Sequence, residues 1–342
     1  MCEKRQKISL VGIGMGTLKT MTAQAEEAVR RADCLIGAGR MLDAVRGMEA
    51  AEGKPVLAEY RGEQILSYLR LHPEYRETAV LFSGDTGFHS GAKGLADMLR
   101  KEMPEWEIQM VPGIASVVYM AARLKTSWED AALVSLHGKE EDFIQTVSRS
   151  RKTFLLLGGK DAGKRALERL REYGMDEVIL HVGTRLSYPD ERILSGTVQE
   201  LGETDLDGLS VVLAENPCPS LYACCHVPDG EFIRGNVPMT KEEVRAVSIA
   251  ALRLTEHAVV YDIGAGTGSV SVEAALSGTG IRVYAVEKNP EAVSLICQNR
   301  KKFRTDGIRI VSGKAPEALE DLEAPTHVFI GGSSGNLKDI LR

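Results

Sequence analysis

The sequence predicts an α/β protein made of more than one unit. Short apolar runs alternate with stretches of helical spacing along the chain. Two runs end in clustered glycines, Gly12-Ile13-Gly14-Met15-Gly16-Thr17 and Asp262-Ile263-Gly264-Ala265-Gly266-Thr267-Gly268, each followed by a helical pattern. The 342 residues also exceed the roughly 250–300 at which one core stops growing.

Residues 8–13 (ISLVGI) read as a buried strand that enters the first glycine turn. A helix follows from Thr22 to Arg31, with Ala25, Ala28 and Val29 on one face and Thr22 as N-cap. Strands at 33–37, 55–58, 78–85 and 107–113 alternate with helices at 40–48, 62–71 and 90–101. A second lobe begins with a helix at 114–123. It continues through strands at 131–135 and 154–159, a helix at 161–173, and strands at 177–182 and 210–216. Several of these strands are closer than the dozen residues a parallel crossover needs, which predicts a mixed sheet.

Residues 217–240 carry Pro217, Pro219, Pro228 and Pro238 and no helical period, so they mark the expected domain boundary. A third unit then reads as helix 240–254, strand 258–263, helix 268–277, strand 281–286, helix 290–303, and strands 308–312 and 326–330. If strand 326–330 lies beside 258–263 it is an apolar edge, and the expectation is that this unit is C-terminally incomplete.

Composition narrows the function. The chain has 42 basic and 48 acidic residues, net −6, and only 5% aromatics. This is not the balance of a phosphate-backbone or base-stacking protein. No run of about 18 apolar residues occurs, and the N-terminus lacks a signal-peptide pattern, so the expected setting is cytoplasmic. Cys218, Cys224, Cys225 and His226 lie close in sequence, but adjacent cysteines on a strand face opposite ways. The six cysteines read as reduced thiols, with no metal site.

The turn at 264–268 has the spacing G-x-G-x-G preceded by an acid. Ser269 stands where a dinucleotide fingerprint needs its third glycine. A carboxylate beside close backbone suits a cationic sulfonium with an amino-acid tail, S-adenosylmethionine (SAM), better than a pyrophosphate. Glu287, at the end of the next strand, is placed to accept ribose hydroxyls. An NAD(P)-dependent oxidoreductase and a purely structural turn are the competing readings. The loops Ser83-Gly84-Asp85-Thr86-Gly87 and Pro112-Gly113-Ile114-Ala115-Ser116 also follow apolar strands and are expected to share a cleft with the first glycine turn.

Residues 8–215 resemble the tetrapyrrole (corrin/porphyrin) methylase family, in its precorrin-6Y C5-methylating branch. The segments that carry this are VGIGMG, ADCLIG, LFSGDTGF, VPGIASVVYMAARL, LVSLHGK and GTRLSYPDERI. Met15 and Thr86 stand where the family usually has turn-setting prolines. Residues 238–342 resemble the companion C15-methylating, decarboxylating domain through PMTKEEVRAVSIAALRL, YDIGAGTGSVSVEAA, VYAVEKNPEA, VSGKAPEAL and VFIGGSSGNLKDIL.

The resemblance implies a two-lobed methylase fold over 1–235 (lobes 1–112 and 113–216, then a linker). A partial Rossmann-like SAM-dependent methyltransferase domain follows over 236–342. It implies SAM-dependent methylation of an anionic corrin precursor at C5 and C15, with loss of CO₂ from the C12 acetate. A homo-oligomer is expected, without nucleic-acid or membrane partners. The alternative is C5 methylation alone, with the C-terminal part used in assembly.

The first cofactor site is expected to use Gly84, Asp85, Thr86, Ile114, Ala115 and Ser116, with Gly12 to Gly16 as the floor on the substrate side. The second is expected to use Asp262, Gly264, Ala265, Gly266, Thr267, Gly268, Glu287, Gly313, Lys314 and Ala315, with Gly331 and Gly332 near the rim. Asp85, Arg185, Tyr188 and Lys241 are the candidate catalytic residues. Asp190 and Glu191 either join them or form only a turn and helix start. His89 and His137 lie near or in family segments, and His257 reads as structural.

Overall fold

The computed structural model describes residues 6–136, 142–159, 161–202, 210–220 and 226–342. His137, Cys2, Cys224 and Cys225 lie outside the described residues.

The first lobe comprises β1 (Lys7–Gly12), α1 (Ala23–Arg31), β2 (Cys34–Gly37), α2 (Gly39–Val45), β3 (Val56–Ala58), α3 (Gly62–Leu71), β4 (Glu77–Phe82), α4 (Ala92–Glu102) and β5 (Glu107–Val111). The Thr22 side chain accepts the Ala25 amide, as expected of an N-cap. The strands form a parallel sheet in the order β3-β2-β4-β1-β5, with Gly12 opposite Phe82 and Val11 opposite Val111. This order makes β4, β1 and β5 neighbours. Their three carboxyl-end loops therefore sit side by side. Ile8, Leu10, Val80 and Leu99 fill one face, and Val11, Val29, Leu35 and Leu81 the other.

The second lobe comprises α5 (Ser116–Leu124), β6 (Ala132–Ser135), α6 (Ile144–Arg149), β7 (Lys152–Leu156), α7 (Ala162–Glu172), β8 (Ile179–Thr184), β9 (Arg192–Thr197) and β10 (Ser210–Glu215). The sheet order is β6-β7-β10-β8-β9. It is parallel only at β6–β7, so the mixed sheet is present. Residues 189–191 do not start a helix. They close a hairpin between β8 and β9, because 192–197 pairs antiparallel with 179–184. The short helix α6 had no clear sequence signal.

The third unit comprises α8 (Glu242–Leu252), β11 (Val259–Ile263), α9 (Ser269–Leu276), β12 (Arg282–Glu287), α10 (Pro290–Lys302), β13 (Ile308–Ser312), β14 (His327–Ile330) and α11 (Leu337–Ile340). Its parallel sheet runs β13-β12-β11-β14, with the last strand beside β11 as expected. Residues 226–240 pack on this unit. Val227 and Phe232 are buried in its core, and Arg245, fully buried, fixes them. Arg245 donates to Glu273 (2.7 Å), Asp229 (2.8 Å), the Thr240 carbonyl (2.8 Å) and the Val227 carbonyl (2.6 Å), and its guanidinium lies over the Phe232 ring. Among the described residues, no helix is long and apolar enough to cross a membrane.

Candidate active sites

The first site forms where the β1, β4 and β5 loops meet. Gly14 and Gly84 exchange backbone hydrogen bonds (3.1 and 2.7 Å), which stitches the first two loops together. A Cβ on Gly12 would stand 2.7 Å from the Gly84 carbonyl oxygen and 2.8 Å from the Gly113 nitrogen, so only glycine permits this approach. Asp85 ties in the third loop: its two carboxylate oxygens accept the amides of Gly87 (2.8 Å) and Gly113 (3.0 Å).

The second lobe closes the cleft through the β8–β9 hairpin. The Thr17 and Ser187 hydroxyls hydrogen-bond across it, and the Tyr188 ring packs on Gly16. Glu191 holds the hairpin by accepting from the Ser187 amide (2.6 Å), the Tyr119 hydroxyl (2.7 Å) and Arg123 (2.7 Å). The cleft, about 190 Å³, is lined by Met15, Arg40, Gly84, Asp85, Phe88, His89, Ala115, Ser116, Arg185 and Tyr188, and by Leu156 and Val211 of the second sheet.

Of the expected first-site residues, Gly84, Asp85, Ala115 and Ser116 line this cavity and Thr86 and Ile114 do not. Thr86 is 5% exposed and turns inward, towards the Val111 carbonyl. Asp85 uses its carboxylate to position loops. Arg185 and Tyr188 both line the cavity. Arg185 is ion-paired to Asp190 at 2.5 Å and stacks over the Tyr188 ring, and this pairing holds the Asp190 carboxyl below its ordinary range. Arg40 was missed. It follows β2 at the start of α2, and only the strand order brings it to the cleft.

The second site sits at the carboxyl ends of β11, β12, β13 and β14. A cavity of about 310 Å³ is lined by Gly264, Gly266, Glu287, Lys288, Asn289, Gly313, Lys314, Ala315, Gly331 and Gly332, with Val237 and Pro238 closing one side. Gly264 has φ +72°, and a Cβ there would stand 2.6 Å from the Gly332 carbonyl oxygen. Glu287 is anchored: one oxygen accepts the Gly266 amide (3.0 Å), and the other accepts the amides of Lys288 (2.8 Å) and Asn289 (2.9 Å).

Four of the expected second-site residues lie behind the loop and not on the cavity. Ala265 packs into the core, Thr267 is fully buried, and Gly268 rests against Ile296. Asp262 is 1% exposed and accepts the Ser271 hydroxyl at 2.5 Å. Burial raises its pKa to about 6, and its Oδ1 has no partner. These inward turns follow from helix α9, which starts at Ser269 and is buried on nearly all sides. Lys241 sits exposed at the N-cap position of α8 and does not line the cavity. His257 also lines neither cavity.

Cys218 is an exposed free thiol and His226 hydrogen-bonds Glu242. Among the described residues, no group of three or more His, Cys, Asp or Glu is placed to hold a metal.

Two clefts, each made by glycine loops at the carboxyl ends of parallel strands, accompany the α/β fold of a methyltransferase. The chain belongs to the tetrapyrrole (corrin/porphyrin) methylases, whose family profile matches residues 7–202. The profile of the precorrin methyltransferase domain matches residues 231–341. One similar protein is the precorrin-6Y C(5,15)-methyltransferase [decarboxylating] of Sinorhizobium sp. It is 27% identical over 95% of this chain and 78% of its own length. The C-terminal part is 48% identical to the probable cobalt-precorrin-6B C(15)-methyltransferase (decarboxylating) of Pyrobaculum calidifontis, over 35% of this chain and 64% of that protein. It is 45% identical to the cobalt-precorrin-6B C(15)-methyltransferase (decarboxylating) of Salmonella typhimurium, over 33% and 58%. The chain thus spans about three-fifths of these C(15) relatives.

Among solved structures, the methyltransferase CobJ shares the fold with TM-score 0.54 at 20% identity, covering 62% of this chain and 95% of that one. The uroporphyrin-III C-methyltransferase of Thermus thermophilus does so with TM-score 0.51 at 19% identity, covering 61% and 97%.

Proposed function

We propose that this protein methylates a precorrin-6Y/precorrin-6B-type corrin precursor at C5 and C15, using SAM, and decarboxylates its C12 acetate, in cobalamin biosynthesis. The observation that carries this is the presence of two glycine-loop clefts in one chain, the glycine loops of each lying inside the region matched by one of the two methylase profiles.

Both sites fit SAM. In the second, the Gly264–Gly332 approach leaves a cradle that a Cβ would fill, and Glu287 faces the cavity. Glu287 would hold the ribose, Gly264 and Gly266 the methionine part, and Gly313 to Ala315 the adenine side. In the first, Gly84, Ala115 and Ser116 would hold the cofactor, in loops that Asp85 keeps in register. Bound SAM supplies a methyl group already activated by the adjacent sulfonium.

The chain's own residues align and shield. Phe88, Leu156 and Val211 keep the first cavity apolar and exclude water, and the Tyr188 hairpin closes over it. The cationic rim, Arg40 and Arg185 in the first cleft and Lys288 and Lys314 in the second, suits a substrate rich in carboxylates.

In this reading the two lobes, up to Ser220, are the C5 unit, and the boundary expected at 235 moves to before His226, because residues 226–240 pack on the C15 unit. The protein is a cytoplasmic homo-oligomer with no nucleic-acid or membrane partner. The test is incubation with SAM and the precursor, followed by mass spectrometry. Two methyl additions and loss of one CO₂ are expected. One methyl addition with the acetate retained would leave only the C5 assignment, and no methyl addition would overturn the proposal.

A further inference from the structure

The second lobe and the third unit meet through a polar surface that serves neither cleft. At its centre is Asp306, between α10 and β13, whose side chain is fully buried. Its carboxylate accepts the amides of Phe143 (2.9 Å), Ile144 (3.0 Å) and Gln145 (3.1 Å), and Arg169 donates to it at 2.9 Å. Asp142, beside it, is held by Arg309 through both carboxylate oxygens (2.8 and 2.9 Å).

Around this centre Gln145 and Arg149 donate to the carbonyls of Ala275 (2.9 Å) and Leu276 (3.0 Å), which end α9. Arg304 donates to the Gly174 carbonyl (3.0 Å), and Lys301 pairs with Glu172 (3.0 Å). Every pair joins residues more than 120 positions apart in sequence.

The placement is selective. On the third unit, the contacts come from the ends of α9 and α10 and the entry to β13, which is the amino end of the parallel sheet. The cavity is at the carboxyl end. On the second lobe, they come from α6 and α7, which cover the face of the sheet that carries Leu155, Leu180 and Val212. The first cleft lies on the other face, at Leu156 and Val211. Contact of the two units thus leaves both clefts open.

Tandem units joined by a linker ordinarily move against one another unless a large apolar interface holds them. Here the restraint is a buried carboxylate with four donors. Separation would strip the acceptor from three backbone amides and break two Arg–Asp pairs together, and such groups are costly to leave unpaired. Burial raises the pKa of Asp306, and the charge of Asp142 adds to this, so the surrounding donors are needed to keep it ionised.

We infer that this surface is a dedicated docking site of the second lobe for the chain's own C-terminal unit, specific enough to hold the two together without the covalent link. The inference stands whatever substrate the clefts take.

A protease recognition sequence inserted between Ser220 and His226 tests it on the full chain, folded before it is cut. After cleavage the two fragments are expected to co-elute and co-sediment at about 1 μM. Arg309→Asp sets a carboxylate against Asp142 and is expected to weaken fragment association by about tenfold or more. Asp142→Arg combined with Arg309→Asp is expected to restore it. Lys301→Glu alone, and with Glu172→Lys, repeats the exchange at an exposed pair where misfolding is no concern. Circular dichroism of each uncut variant checks the fold. Separation of the cut parent at this concentration would overturn the inference. So would association unchanged by either charge reversal in variants with the parent's spectrum.

Discussion

Asp262→Asn isolates the electrostatics of the second glycine turn. In the folded chain the Asp262 carboxyl is buried, has one acceptor bond from Ser271, and titrates near about 6 instead of 3.8. The folded value lies above the unfolded one, so protonation favours the fold. That contribution is complete below pH about 3.8 and is lost as the pH rises through about 6. At about 1.4 kcal/mol per pH unit, the rise corresponds to about 3 kcal/mol.

Asn is nearly isosteric, keeps an acceptor for Ser271 and never ionises. The variant's stability should therefore exceed the parent's by about 3 kcal/mol at pH 8 and match it within about 1 kcal/mol at pH 4. Chemical denaturation of the third unit at the two pH values measures this. The same substitution removes the negative charge behind the methionine end of the proposed site, so SAM binding at pH 8 should weaken. A variant no more stable than the parent at pH 8 would refute the reasoning. So would a variant equally stabilised at both pH values.

Other expectations follow from single contacts. Asp85→Ala frees the Gly87 and Gly113 amides and should weaken SAM binding at the first site by about tenfold while leaving the second unchanged, as calorimetry would show. Gly12→Ala drives a Cβ into the Gly84 carbonyl and should lower first-lobe stability by about 1–3 kcal/mol, read from the denaturant midpoint. Arg245→Met leaves Glu273 buried without its cation and should cost the third unit about 3–5 kcal/mol in the same assay. Arg40→Ala removes a cation from the first cleft and should raise KM for the corrin precursor with little change in SAM affinity, measured by steady-state kinetics and calorimetry.

The fold was legible where local chemistry is strong. Thr22 as N-cap, the glycine turns after β1 and β11, and the alternation of apolar strands with helices all express short-range rules. The shared cleft of the three first-lobe loops was also legible, because ligands in open α/β sheets sit beyond the carboxyl ends of strands. What the sequence concealed depends on which way a residue faces. In the 262–268 turn, Gly264 and Gly266 look outward while Asp262, Ala265, Thr267 and Gly268 face α9 and α10, and a motif read as a string cannot separate them. The 189–191 segment has the composition of a helix start, yet pairing of 192–197 with β8 makes it a hairpin. Arg40 reaches its cleft only because β2 lies next to β4. Asp306 and its partners are joined by contacts across more than 120 residues, with no local signature.

The central claim is that one chain carries two working SAM sites. Isothermal calorimetry on the parent and on Glu287→Ala tests it most directly. Glu287 lines the second cavity alone, so a stoichiometry of two in the parent and one in the variant is the predicted result. A single site in the parent, unaffected by Glu287→Ala, would contradict it.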